Sequence, residues 1–85
     1  MKEFSYEIKD EVGIHARPAG MLAKEAKIFS SKITIEANGK SADATKLMAV
    51  MGLGIKKGTK VNIKAEGEDE EAAIASIEEF MKNNL

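Results

Sequence analysis

A chain of 85 residues is long enough for one hydrophobic core and too short for two. Its hydrophobic content of 44% can build that core, and 13 Lys and Arg against 14 Asp and Glu argue against a nucleic-acid binder, which usually shows a strongly basic face. With no cysteine there is neither disulfide nor thiolate metal site, and no segment approaches the roughly 20 apolar residues of a membrane span. The opening "MKEFSYEIKDEV" carries no apolar run of signal-peptide length. The expectation is a soluble, cytoplasmic, monomeric single domain over residues 1–85, without direct membrane insertion.

Phe4, Tyr6 and Ile8 alternate with charged and polar residues, the period of a half-buried strand. After Gly13 the period changes. Ala19, Leu22, Ala26 and Phe29 form an apolar helical stripe, which predicts a helix from Arg17 to about Phe29. Ile33, Ile35 and Ala37 alternate again, and Asn38-Gly39 signals a hairpin into a short strand, Lys40 to Asp43. Thr45 to Leu53, "TKLMAVMGL", reads as a short helix ended by Gly52 and Gly54. Val61, Ile63 and Ala65 form a fourth strand after a turn at Gly58. Asp69 is placed to cap a last helix, with Glu70 and Glu71 in its first turn, Lys82 in its last, and Ala73, Ile77 and Phe80 as its buried face.

The order strand, helix, strand, strand, helix, strand, helix (βαββαβα) describes an α+β fold with helices on one face of a four-stranded sheet. Periodicity does not order the strands, and a ferredoxin-like arrangement fits it as well.

The only histidine and the only proline stand three residues apart in "GIHARPAG", Gly13 to Gly20, where the helix opens. A helix start leaves backbone N–H groups without partners and carries partial positive charge, so it receives anions. Pro18 is tolerated in a first turn and biases Arg17 toward extended backbone, which sets the helix boundary there. Glycines at 13 and 20 permit another backbone to come close. A histidine beside a positive helix end is biased toward its neutral, nucleophilic form. If a ring nitrogen takes a phosphoryl group, the amides near Ala16 and Arg17 and the Arg17 guanidinium can receive its oxygens. A lone loop histidine is more often a solvated side chain; here each neighbour answers a need of a phosphohistidine. One histidine without cysteine does not make a transition-metal cage, and no serine sits in a nucleophile elbow.

"GIHARPA" resembles the signature of HPr, the histidine-containing phosphocarrier family of the bacterial phosphoenolpyruvate-dependent sugar phosphotransferase system. "NGK" at Asn38 to Lys40 and "LMAVMGLGIKKG" at Leu47 to Gly58 fall without gaps at the spacing of the family's second signature, so the resemblance spans essentially the whole chain. It implies an open-faced β-sandwich: an antiparallel sheet in order 1-4-2-3 with three helices on one face. It implies a stoichiometric carrier, not an enzyme, whose His15 accepts phosphoryl on Nδ1 (a pros-phosphohistidine) from enzyme I and passes it to IIA domains of sugar-specific permeases. Arg17 would pair with the phosphoryl group, Ala16 and Arg17 would line it, and Pro18 would shape its cradle. Neither cofactor nor metal is implied.

Periodicity also indicates a docking surface. Gly20, Lys24 and Lys27 lie opposite the buried stripe of the first helix, and Leu47, Met48 and Met51 are more apolar than a solvent face requires, while Val50 and Leu53 can serve the core. An apolar patch with a basic rim suits protein partners, and methionines adapt to several of them. One departure stands out. Many family members carry a serine, modified by a dedicated kinase, where this chain has Lys46; Thr45 next to it is expected to cap the short helix. The competing readings are an HPr-like regulatory or specialised docking module with other partners, and a small RNA- or ligand-binding domain. A phosphoryl acceptor with its arginine speaks against a pure docking role. Charge balance and few aromatics, mostly at expected core positions, speak against the RNA reading.

Overall fold

The computed structural model describes residues 1–14 and 16–85; His15 lies outside the described residues. In chain order the elements are β1 (Lys2–Glu7), α1 (Ala16–Ala26), β2 (Lys32–Ala37), β3 (Lys40–Asp43), α2 (Leu47–Met51), β4 (Lys60–Glu66) and α3 (Glu70–Asn84). All strand pairs are antiparallel in the order β1-β4-β2-β3, the arrangement periodicity alone left open. The register aligns apolar side chains across the sheet: Phe4 opposes Ile63, Ile63 opposes Ile35, and Ile35 opposes Ala42. On that face Ile33, Ile35, Val61 and Ile63 are buried with Leu22 of α1, Val50 of α2 and Ile77 and Met81 of α3. Burying each such side chain contributes about 1.5–3 kcal/mol. The opposite face is polar: Asn62 accepts from Ser5 Oγ at 3.2 Å and donates to Glu3 Oε1 at 3.1 Å, and Lys64 Nζ reaches Glu36 Oε2 at 3.2 Å. Helices on one side and solvated side chains on the other make the sandwich open-faced.

The hairpin forms where Asn-Gly predicts it. Asn38 and Gly39 both take positive φ, +55° and +77°, the twist that matches two antiparallel strands. Asn38 Nδ2 also donates to the carbonyls of Leu53 (2.9 Å) and Gly54 (3.3 Å), tying the hairpin to the segment behind α2.

Several boundaries differ from those the pattern predicts. Arg17 is helical, because α1 begins at Ala16; Pro18 still falls in the first turn, where its missing N–H has no partner to lose. The same helix stops at Ala26. Ile28 N and Phe29 N then bond three residues back, to Glu25 and Ala26, so the last turn tightens, leaving Ile28 exposed and Phe29 half-buried. Leu47–Met51 is the extent of α2, and Leu53 reaches the core from the turn that follows, with Leu53 N on Val50 O at 3.1 Å. Its N-cap is Lys46, not Thr45: Thr45 Oγ1 and N instead donate to Asp43 Oδ1 at 2.6 and 2.9 Å. Asp69 does occupy the N-cap of α3, yet its side chain makes no cap bond. Its carboxylate receives Ser30 N and Ser31 N, both at 2.9 Å, and Ser31 Oγ, closing the turn between α1 and β2. The buried stripe of α3 is Ala73, Ile77 and Met81; Phe80, like Phe4, Tyr6 and Phe29, is half-buried at the core's edge.

Candidate functional site

The segment leading to His15 is fastened on two sides. Lys9 N and Asp10 N both donate to Leu85 O, at 2.6 and 2.8 Å, so the end of α3 holds the strand exit. Ile14 N donates to Ile55 O at 3.1 Å, and Gly13 runs so close to that segment that a Cβ there would stand 2.6 Å from Lys56 Cα. With φ +79° as well, position 13 requires glycine, as the close-approach argument anticipates. Gly20 differs. No backbone approaches it: a Cβ there would meet nothing within 4 Å, and the residue opens space beside α1.

Immediately after His15, α1 begins. Its first turn contains no acidic residue, so its own side chains leave the positive end of the helix uncompensated. Ala16 and Arg17 are exposed, and helix geometry leaves their amides without intrahelical acceptors. Pro18 is buried and pins the turn against the core. Arg17 faces a shallow depression shared with Asp10, Met21, Asn83 and Asn84. Among the described residues Arg17 makes no salt bridge, and Asp10 Oδ1 is engaged with Val12 N at 2.9 Å. The guanidinium is available for an anion brought to the helix start.

A larger groove, about 560 Å³, runs between α1 and α2. It brings together five residues that the sequence suggested separately: Gly20, Lys24 and Lys27 on one wall, Leu47 and Met48 on the other. Met48 is 76% exposed and Leu47 37%. Met51 is not part of that lining; it is half-buried against the core. The groove also contains Lys46, which periodicity did not mark as a docking residue because it precedes the helical stripe. Among the described residues no three His, Cys, Asp or Glu side chains converge to hold a metal ion, and no helix is long and apolar enough to cross a membrane.

Comparison with known proteins decides the family. Residues 2–83 match the family model described as the PTS HPr component phosphorylation site. The chain belongs to the HPr family. It is 51% identical over 81 residues to the phosphocarrier protein HPr of Mycoplasma capricolum, covering 95% of this chain and 91% of that relative. A solved histidine-containing phosphocarrier protein of Mycoplasma superposes with a TM-score of 0.94 at 49% identity, covering 96% of this chain and 93% of the other. HPr of Thermoanaerobacter tengcongensis gives 0.92 at 41%, covering 98% and 93%. Bacillus subtilis Crh, a catabolite-repression protein described as a dimer with a swapped domain, gives 0.78 at 32%, covering 94% and 92%. As an HPr-family member the chain is a phosphocarrier of the phosphotransferase system, a carrier of phosphoryl groups and not a catalyst.

Proposed function

We propose that His15 Nδ1 accepts the phosphoryl group from the phosphohistidine of enzyme I and delivers it to IIA domains of sugar-specific permeases, in the cytoplasm and as a monomer. The observation that supports this most directly is the position of the sole histidine, one residue before a helix whose first turn offers unpaired amides, no carboxylate and an exposed Arg17. In the forward step the Nδ1 lone pair attacks phosphorus in line while the donor's N–P bond breaks, and the electron pair returns to the donor's imidazole. The Arg17 guanidinium and the amides of Ala16 and Arg17 receive the phosphoryl oxygens. Pro18, having no N–H, contributes by fixing the turn that aims those amides. The onward step is the same displacement with the IIA histidine as nucleophile. Because both ends of the exchange are phosphohistidines, little driving force is needed, and positioning carries most of the burden.

The test is incubation with phosphoenolpyruvate and enzyme I, followed by intact mass before and after acid. One phosphoryl group, lost in acid and absent from His15→Ala, is the expected result. Acid-labile phosphate persisting on a folded His15→Ala protein overturns the assignment.

A further inference from the structure

We propose that Asn38, at the tip of the β2–β3 hairpin, is a positioning residue for phosphoryl transfer: its carboxamide fixes the Leu53–Ile55 backbone to which the segment entering His15 is bonded. The proposal rests on the reading of His15 as the phosphoryl acceptor and adds a residue that stands behind the site and touches neither partner nor phosphate.

The bonds run in sequence from the hairpin to the site. Asn38 Nδ2 donates to the carbonyls of Leu53 at 2.9 Å and Gly54 at 3.3 Å. One residue on, the carbonyl of Ile55 accepts from Ile14 N at 3.1 Å, and His15 follows Ile14 in the chain. Gly13 lies against the same backbone, too close to Ile55 and Lys56 for any Cβ. Three consecutive carbonyls are thus held from two sides, two by the hairpin tip and one by the β1–α1 connection. A shift of the Leu53–Ile55 backbone is passed directly to residues 13 and 14.

This stretch needs an outside hold. Gly52 and Gly54 flank Leu53, and Gly54 takes φ +68°, so its own backbone restrains it weakly. Leu53 and Ile55 are buried, which anchors their side chains. The peptide plane between Gly54 and Ile55 is a separate matter: it carries the Gly54 carbonyl, and its tilt sets the φ of Ile55 and so the aim of the Ile55 carbonyl. Among the described residues Asn38 is the side chain that bonds this plane. Turn formation explains only part of the residue choice. Asn38 has φ +55° and precedes Gly39, as a two-residue hairpin turn favours. Glycine meets that backbone requirement equally well, yet it offers no carboxamide to reach segments 15 and 16 residues away. The hairpin is the fixed end of the tie, because Ala37 pairs with Lys40 directly across the turn.

The experiment measures rapid-quench transfer from phosphorylated enzyme I over a range of enzyme I concentrations, which separates the limiting rate from the half-saturating concentration. Asn38→Gly keeps the positive φ and deletes only the side chain; Asn38→Asp keeps the shape and replaces the donor with an acceptor facing two carbonyls. Asn62→Ala, which removes a pair of side-chain bonds on the polar face of the sheet, controls for a purely structural loss. Both Asn38 variants are expected to lower the limiting rate by roughly three- to tenfold and leave the half-saturating concentration within twofold, because alignment suffers and docking does not. Hydrogen exchange at the Ile14 amide should quicken in both, and in Asn62→Ala it should not. An unchanged limiting rate in either folded Asn38 variant, an equal loss in Asn62→Ala, or a change confined to the half-saturating concentration overturns the proposal while leaving the carrier function standing. Failure of the wild type itself to accept phosphoryl from enzyme I overturns both.

Discussion

Arg17 and Met48 show how exposure separates residues that act on partners from residues that hold the fold. Arg17 is exposed and makes no salt bridge among the described residues, so its removal costs the fold little. Each charge-assisted bond it gives a phosphoryl oxygen is worth about 1.5–3 kcal/mol. Arg17→Ala should therefore slow transfer by tens-fold or more, at about 1.4 kcal/mol per factor of ten, with an unchanged Tm. Rapid-quench transfer rates in both directions check this. Met48 and Met51 look equivalent in sequence, three apart on one short helix, but Met48 projects into the groove while Met51 packs against the core. Met48→Glu should weaken enzyme I binding at constant Tm, whereas Met51→Glu should lower the Tm as well; calorimetric titration and thermal melts of the pair distinguish the two. Thr45 could replace the absent family serine only by giving up its hydroxyl bond to Asp43 and accepting phosphate beside that carboxylate. Incubation with the family's serine kinase and ATP should leave no acid-stable phosphate, which intact mass after acid treatment reads directly.

At the scale of elements, hydropathy period located every strand and helix, because each buries one face against the same core and the period records that face. Boundaries were less legible, since they are set by contacts distant in sequence. Nothing within "KIFSS" announces that α1 stops at Ala26; the turn is fixed by Asp69, 38 and 39 residues later, whose carboxylate gathers the amides of Ser30 and Ser31. Local reasoning assigned Asp69 to its own helix, and the tertiary use prevailed. Lys46 was legible only as a missing serine, because Lys24 and Lys27, the cations it meets across the groove, come from a different helix. The buried stripe of α3 runs through Ala73, Ile77 and Met81, while Phe80, which the same helical period also allows, stays half-buried at the core's edge. The junction of the α1–β2 turn with the start of α3 leaves no room at Gly67, where a Cβ would stand 2.7 Å from Ser31 Cα. Gly67→Ala should cost about 1–3 kcal/mol by overpacking that contact. Urea denaturation measures it, and because the junction lies away from the groove residues, enzyme I binding should be unaffected.

At the scale of the whole molecule, two carboxylates make stability depend on acid: Asp69, which joins the α1–β2 turn to the start of α3, and Asp43, which closes a local turn on Thr45. Asp69 is held below the usual carboxylate range first by the Ser31 hydroxyl and then by the Ser30 and Ser31 amides; Asp43 is held below it by the Thr45 hydroxyl and amide. A depressed native pKa means the ionised form is the one the fold binds. Its contribution is present above the unfolded value, about 3.9 for aspartate, and is lost as pH falls through the lower native value. Asp69→Asn removes that contribution and turns an amide donor toward three donors, so it should be less stable than wild type at neutral pH. The deficit should stay constant above about pH 5, where an aspartate is ionised folded or unfolded, and narrow as the pH drops below about 4. Urea midpoints of the two proteins from pH 8 to pH 2 test this. A deficit that keeps its full size in acid would mean that Asp69 acts through packing alone, whereas a closing gap shows that its negative charge joins the end of α1 to the start of α3.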